Sequence, residues 1–159
     1  MWRKIKPYVI SAAVTLAVGG LSAFLTMGNM NIYQTVKLPP LSPPSWLFPV
    51  AWTILYILMS ISFTRVFLER KRSPRMKRNT VWIYALNLFF NFMWSIIFFD
   101  CRAFLFSFVW LVLLWLIIFS MTVNFYRTDK IAGYLLIPYL LWVTFAGYLN
   151  AGIYALNRG

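Results

Sequence analysis

The residues able to do chemistry in this chain are aromatic rings and amides, set at helical spacing in three apolar stretches. In one stretch Phe48, Trp52, Tyr56 or Leu55, Met59 and Phe63 fall on a single helical face, which marks either an internal pocket or lipid contact. In another, Asn87, Asn91, Trp94 and Phe98 recur at i, i+4, i+7 and i+11. In a third, Trp142, then Phe145 or Ala146, then Leu149 and Asn150 follow Pro138 along one side. An indole offers a wide flat apolar surface and one N–H donor, which is the chemistry of stacking recognition and suits a pocket for a flat aromatic ligand. An unpaired amide in an apolar medium costs several kcal/mol. Asn87 and Asn91 must therefore face protein, either joining helices or meeting the polar edge of a ligand.

Conventional catalysis finds few materials here. The chain has three acidic residues, one cysteine and no histidine. Glu69, Asp100 and Cys101 lie at the ends of apolar runs and Asp129 lies in a loop. No acid–base pair, Ser-His-Asp set or phosphate-binding loop can be assembled from these. The missing histidine removes the commonest metal ligand and the usual proximal ligand of haem, so neither a metal site nor a cofactor is expected. A single cysteine forms no internal disulfide. No carboxylate or basic residue sits inside an apolar run to relay protons or bind a driving ion, which counts against a coupled transporter.

The elements that must position these side chains are membrane helices. Of the 159 residues 62% are hydrophobic, 20% aromatic and only 11% charged, too little charge to cover a water-soluble domain. Five runs free of charge predict five spans in an all-α bundle, near 8–27, 45–66, 79–99, 103–125 and 131–156, and the whole chain, 1–159, reads as one transmembrane domain. The first run is too long for the core of a signal peptide and reads as a retained span. The net charge of +12 does not point to nucleic acid, because the basic residues cluster at the ends of the apolar runs. Three basic residues before the first span, seven around loop 2 and two in loop 4 fall on one side; loops 1 and 3 and the tail hold one each on the other. The positive-inside rule puts the N-terminus and loop 2 in the cytoplasm and the C-terminus outside the cell membrane.

Between the first two spans the Pro-rich loop, 28–44, carries Pro39, Pro40, Pro43 and Pro44 and reads as a stiff extended segment able to roof a pocket. The first span is rich in Gly, Ala and Ser, which allows close helix approach. The fourth reads as scaffold. Pro138 should kink the fifth, since it removes the hydrogen bond to the Tyr134 carbonyl.

Tyr33, Pro39, Pro43-Pro44, Trp46, Phe48, Trp52 and Leu55-Tyr56, followed by Asn91, Trp94-Ser95 and Phe98-Phe99 and then by Pro138-Tyr139, Trp142, Phe145-Ala146 and Leu149-Asn150, resemble the TspO/MBR family of translocator and tryptophan-rich sensory proteins. The likeness covers about residues 8–157. It implies a five-helix bundle, a homodimer in the lipid bilayer, that binds tetrapyrroles such as porphyrin, sterols and benzodiazepine-type compounds under loop 1. By that resemblance Tyr33 and Pro43 belong to the lid, Trp52 to the second span's wall, Asn91 and Trp94 to the third span, and Trp142 and Ala146 to the fifth; Phe48 and Pro138, in the same stretches, join them as candidate ligand-binding residues. Some relatives degrade porphyrin in light, which makes Trp52 and Trp142 the candidate catalytic residues. Where the family commonly has a Trp-Tyr pair and a Lys-Pro-x-Trp stretch, this chain has Ile32-Tyr33 and Leu38-Pro39-Pro40-Leu41. A Leu149–Tyr154–Arg158 pattern matches a sterol motif that interface anchoring explains equally well. The expected function is a receptor or sensor for a porphyrin or other flat hydrophobic molecule. The alternatives are a light-dependent degrading enzyme and a tetrapyrrole or lipid transporter.

Overall fold

In the computed structural model the described residues are 2–29, 31–69, 71 and 73–157, with side chains from Ile5 onward. The elements run α1 (Trp2–Thr26), a 3₁₀ turn (Met27–Asn29), α2 (Ile32–Thr35), α3 (Leu47–Leu68), α4 (Pro74–Ser95) continued by a π turn (Ile96–Asp100), α5 (Phe104–Thr128) and α6 (Lys130–Leu156). No strand occurs among the described residues. Five helices are long and apolar enough to span a membrane: Ile5–Asn29, Leu47–Leu68, Pro74–Asp100, Phe104–Thr128 and Lys130–Leu156.

Local chemistry explains the boundaries. The third span begins five residues before its apolar run because Ser73 caps α4, its Oγ accepting from the Met76 N–H at 3.3 Å, and Pro74 takes the first turn, where its missing donor is not needed. The basic residues Arg75, Lys77 and Arg78 are therefore helical. Asp129 caps α6 by accepting from the N–H groups of Ile131 and Ala132. Loop 1 is less extended than its prolines imply, since a 3₁₀ turn and the one-turn α2 occupy its first part. Leu41 there takes a left-handed φ of 65°. α6 is a continuous helix through Pro138.

α6 packs along α5 and α3, and α1 lies against α3 and α4. The core runs down the middle through Met59, Val66, Leu114, Ile118, Met121, Phe125, Leu136 and Tyr139, all fully buried. Large apolar side chains also cover the outside, with Phe24, Trp82, Phe106 and Leu141 more than half exposed. A surface apolar all round is what lipid requires and what water would penalise.

Close approach of α1 depends on Gly19, where a Cβ would overlap the Tyr56 ring. Gly133 plays the same part between α6 and α5, against the backbone of Tyr126. Ser11 Oγ donates to the Ser60 carbonyl, and Thr15 Oγ1 shares a 2.7 Å hydrogen bond with the Tyr84 hydroxyl, so α1 is fixed by polar contacts as well.

Candidate functional site

Four of the five spans part beneath loop 1 to leave a cavity of about 160 Å³. α1 contributes Gly19, Ser22, Ala23 and Thr26, α3 contributes Phe48, Pro49, Trp52 and Tyr56, α4 and its π turn Trp94, Ser95, Phe98 and Phe99, and α6 Ala146, Leu149, Asn150 and Ile153. Ser45 and Tyr33 line it from loop 1. No residue of α5 takes part, as expected of a scaffold helix.

The walls are aromatic. Tyr33 meets Phe48 edge-on at 5.1 Å, Trp52 lies 5.5 Å from Tyr56, and Trp94 stacks on Phe98 at 5.3 Å. The π turn is marked by a hydrogen bond from the Cys101 N–H to the Ile96 carbonyl, five residues back. It brings Phe99 within 6.4 Å of the Trp94 ring. At its end Asp100 Oδ1 accepts from Asn29 Nδ2 at 2.8 Å, tying α4 to the exit of α1.

The structure places Tyr33, Phe48, Trp52, Trp94 and Ala146 in the cavity wall and brings Asn91, Trp142, Pro43 and Pro138 elsewhere. Asn91 lies just below the cavity floor with its amide occupied on both sides. Its Oδ1 accepts from the Tyr56 hydroxyl at 3.1 Å and its Nδ2 donates to the Tyr139 oxygen at 2.9 Å. Tyr139 in turn donates to Asn87 Oδ1 at 2.8 Å, so the two amides of α4 serve as interhelical glue through one α6 tyrosine. Trp142 stands behind Phe48, 5.9 Å from its ring, and its buried N–H has no hydrogen-bond partner. Pro138 is on the exposed side of α6, and Pro43 is half-buried in loop 1 without reaching the cavity.

Loop 1 is pinned to α6. Asn157 Oδ1 accepts from the Lys37 N–H and its Nδ2 donates to the Lys37 carbonyl, both at 3.0 Å. The Tyr148 hydroxyl donates to the Pro40 carbonyl at 2.8 Å, and Pro39 rests on Gly152 so closely that a Cβ there would collide with its ring. Burial pushes the Tyr33 hydroxyl above its ordinary pKa, an effect that the neighbouring Ser42 partly offsets. The exposed lining residues Ala23, Ser45 and Pro49 mark the open side, between α1 and the start of α3.

Gly19 and Ser22, read from the sequence as small residues for helix packing, also line the cavity, which that reading did not anticipate. The π turn left no sequence signal. Among the described residues no group of His, Cys, Asp or Glu could hold a metal ion.

Residues 11–156 match the TspO/MBR family. The chain belongs to that family. It is 36% identical over 158 residues to the tryptophan-rich protein TspO of Chlorobaculum tepidum, covering 99% of each chain. It is 41% identical over 128 residues to the protein CrtK of Rhodobacter capsulatus, covering 80% of this chain and 79% of that one. The translocator protein of Sus scrofa is 28% identical over 158 residues, covering 96% of this chain and 93% of its own. This TspO/MBR protein is thus an integral membrane bundle of the sensor and translocator type.

Proposed function

We propose that this family member is a receptor or sensor that binds a flat hydrophobic ligand, a porphyrin by preference and sterols or benzodiazepine-type compounds by related chemistry, in the cavity beneath loop 1. The reading rests on one observation: a cavity without charged residues, lined by Phe48, Trp52, Trp94 and Phe98 and by Tyr33. Stacking on such rings is worth about 0.5–1.5 kcal/mol per pair beyond area burial. Its volume of about 160 Å³ is below the roughly 300–1,000 Å³ of ordinary ligand pockets. A tetrapyrrole therefore has to widen it. The side free to yield is the one between α1 and the start of α3, because loop 1 is pinned along α6. The N-terminus and loop 2 are placed in the cytoplasm by their basic residues, with the C-terminus outside.

The test is a titration of the protein in nanodiscs with protoporphyrin IX in the dark, followed by illumination. Saturable quenching of tryptophan fluorescence is expected, with the pigment spectrum unchanged by the protein in light. Absence of saturation overturns the receptor reading. A second reading, light-dependent breakdown, draws on the contiguous rings Trp52, Tyr56 and Tyr139, at 5.5 and 6.1 Å, which offer oxidisable groups beside the ligand. Protein-dependent bleaching that is lost in the Trp52→Phe, Trp142→Phe double variant would favour it.

A further inference from the structure

We infer that the cavity selects among flat apolar ligands by a neutral hydrogen-bond acceptor, a carbonyl-type oxygen, received by the Trp94 indole N–H and the Ser22 hydroxyl. The inference deepens the reading of this cavity as a binding site and rests on it.

Two contrasts single out these groups. Trp110 and Trp115 donate their indole N–H groups, to the Phe90 carbonyl at 2.9 Å and to Thr144 Oγ1 at 2.8 Å. Trp94 Nε1, on a residue only 8% exposed, has no partner. Hydroxyls on these helices routinely fold back onto the carbonyl three or four residues earlier, as do those of Thr15, Thr26, Ser60, Thr64, Thr122 and Thr144. Ser22, 4% exposed, has no partner for its Oγ. Both residues line the cavity, from α4 and α1.

Of the cavity's other polar groups, the Tyr33 hydroxyl under loop 1 is also without a partner, while those deeper in the cavity, on Asn150 and Tyr56, are occupied. Asn150 and Ser107 bond one another, with Asn150 Nδ2 donating to Ser107 Oγ at 3.0 Å. Tyr56 donates to Asn91. An indole can only donate and a hydroxyl can donate, so an acceptor satisfies both. That acceptor should be uncharged. No cation lines the cavity, and an ionised carboxylate there would lose its hydration without a counter-charge. Carboxylates of a larger ligand belong at the mouth, near Ser45 and Pro49.

The experiment compares 9-fluorenone with fluorene, two tricyclic molecules of nearly the same shape that differ by a carbonyl in place of a methylene, binding to the protein in nanodiscs with empty nanodiscs subtracted. The parent should prefer the ketone about three- to tenfold, the range of one or two modest hydrogen bonds. The bound ketone's C=O stretch should move to lower wavenumber. Trp94→Phe and Ser22→Ala should each reduce the ratio of ketone to fluorene affinity and the band shift, whatever the change does to fluorene affinity itself; Ser22→Ala keeps the test open should the tryptophan variant fail to fold. Equal binding of both probes, or a preference and carbonyl band unaltered in Ser22→Ala and folded Trp94→Phe, overturns the acceptor inference alone. No saturable binding of either probe or of protoporphyrin IX overturns the binding-site reading beneath it.

Discussion

At the loop 2 end of the bundle α3, α5 and α6 close completely, whereas at the loop 1 end α3 and α6 stand apart around a cavity with α1 and α4. The closed end is built from Val66, Met121, Phe125, Ala132 and Leu136, all fully buried, with Phe63 stacked on Tyr84 at 4.4 Å. Its polar groups are matched: Ser62 Oγ donates to the Ala132 carbonyl at 2.7 Å, and Arg65 Nε meets Asp129 Oδ2 at 2.7 Å. The open end keeps unpaired donors at Trp94 and Ser22. In lipid every unmet donor is costly, and although Asn87 Nδ2 at mid-bundle is unpaired too, the proposed binding capacity falls where the fold gave up packing and left donors facing a cavity.

The two glycine contacts give the sharpest break in that comparison. Gly133→Ala drives a methyl into the Tyr126 backbone, which cannot swing aside, and should cost about 1–3 kcal/mol, read as a lower Tm in detergent. Gly19→Ala meets only the Tyr56 ring, which can turn into the cavity. It should lower porphyrin affinity with a smaller loss of Tm. Equal losses at both sites would mean that the two ends are packed alike.

Ala146→Phe fills the cavity from α6 and should weaken porphyrin binding about tenfold or more, with the far-UV circular dichroism of the parent retained. Unchanged affinity in the folded variant would move the site away from this wall.

Tyr139→Phe removes the hydroxyl that joins Asn91 to Asn87. Two buried amide groups lose a partner, and stability should fall by about 1–2 kcal/mol. Because the network lies below the cavity, porphyrin affinity should change less than in Ala146→Phe.

The smallest effect is electrostatic and belongs to the closed end. Burial alone would raise the Asp129 carboxyl, but the Arg65 hydrogen bond and charge and the Ala132 and Ile131 N–H groups together hold it below its ordinary value of 3.8. A carboxyl depressed by folding stabilises the protein above that ordinary value and loses the contribution as pH falls through the lowered one. The Tm of the parent should exceed that of Asp129→Asn by the equivalent of about 0.5–1 kcal/mol at pH 7. The gap should close below about pH 4. A gap independent of pH would leave Asp129 acting only as a helix cap.

The five spans and the aromatic faces were legible in the sequence because charge-free runs and helical spacing speak directly to lipid and to packing. Asn87, Asn91, Trp94 and Phe98 do share one buried face. What spacing cannot convey is depth along that face. Asn91 and Trp94 are less than one turn apart, yet one is locked between tyrosines while the other borders empty space. Partners on other helices decide this, and no local pattern records them. Trp142 shows the same limit in the lateral direction, one ring behind the wall it was expected to form.

The π turn makes the number of residues matter as much as their kind. In a plain α-helix Phe99 would stand about 140° round the axis from Trp94; the wider turn swings it back to meet that ring. Deleting one residue from Ile96–Asp100 would restore the narrower winding and withdraw a ring from the cavity, with Ser73 still capping α4 at its far end. A scan of point substitutions never samples that change. Among related chains of unequal length, a single-residue gap at this turn would be a quiet means of retuning what the cavity admits.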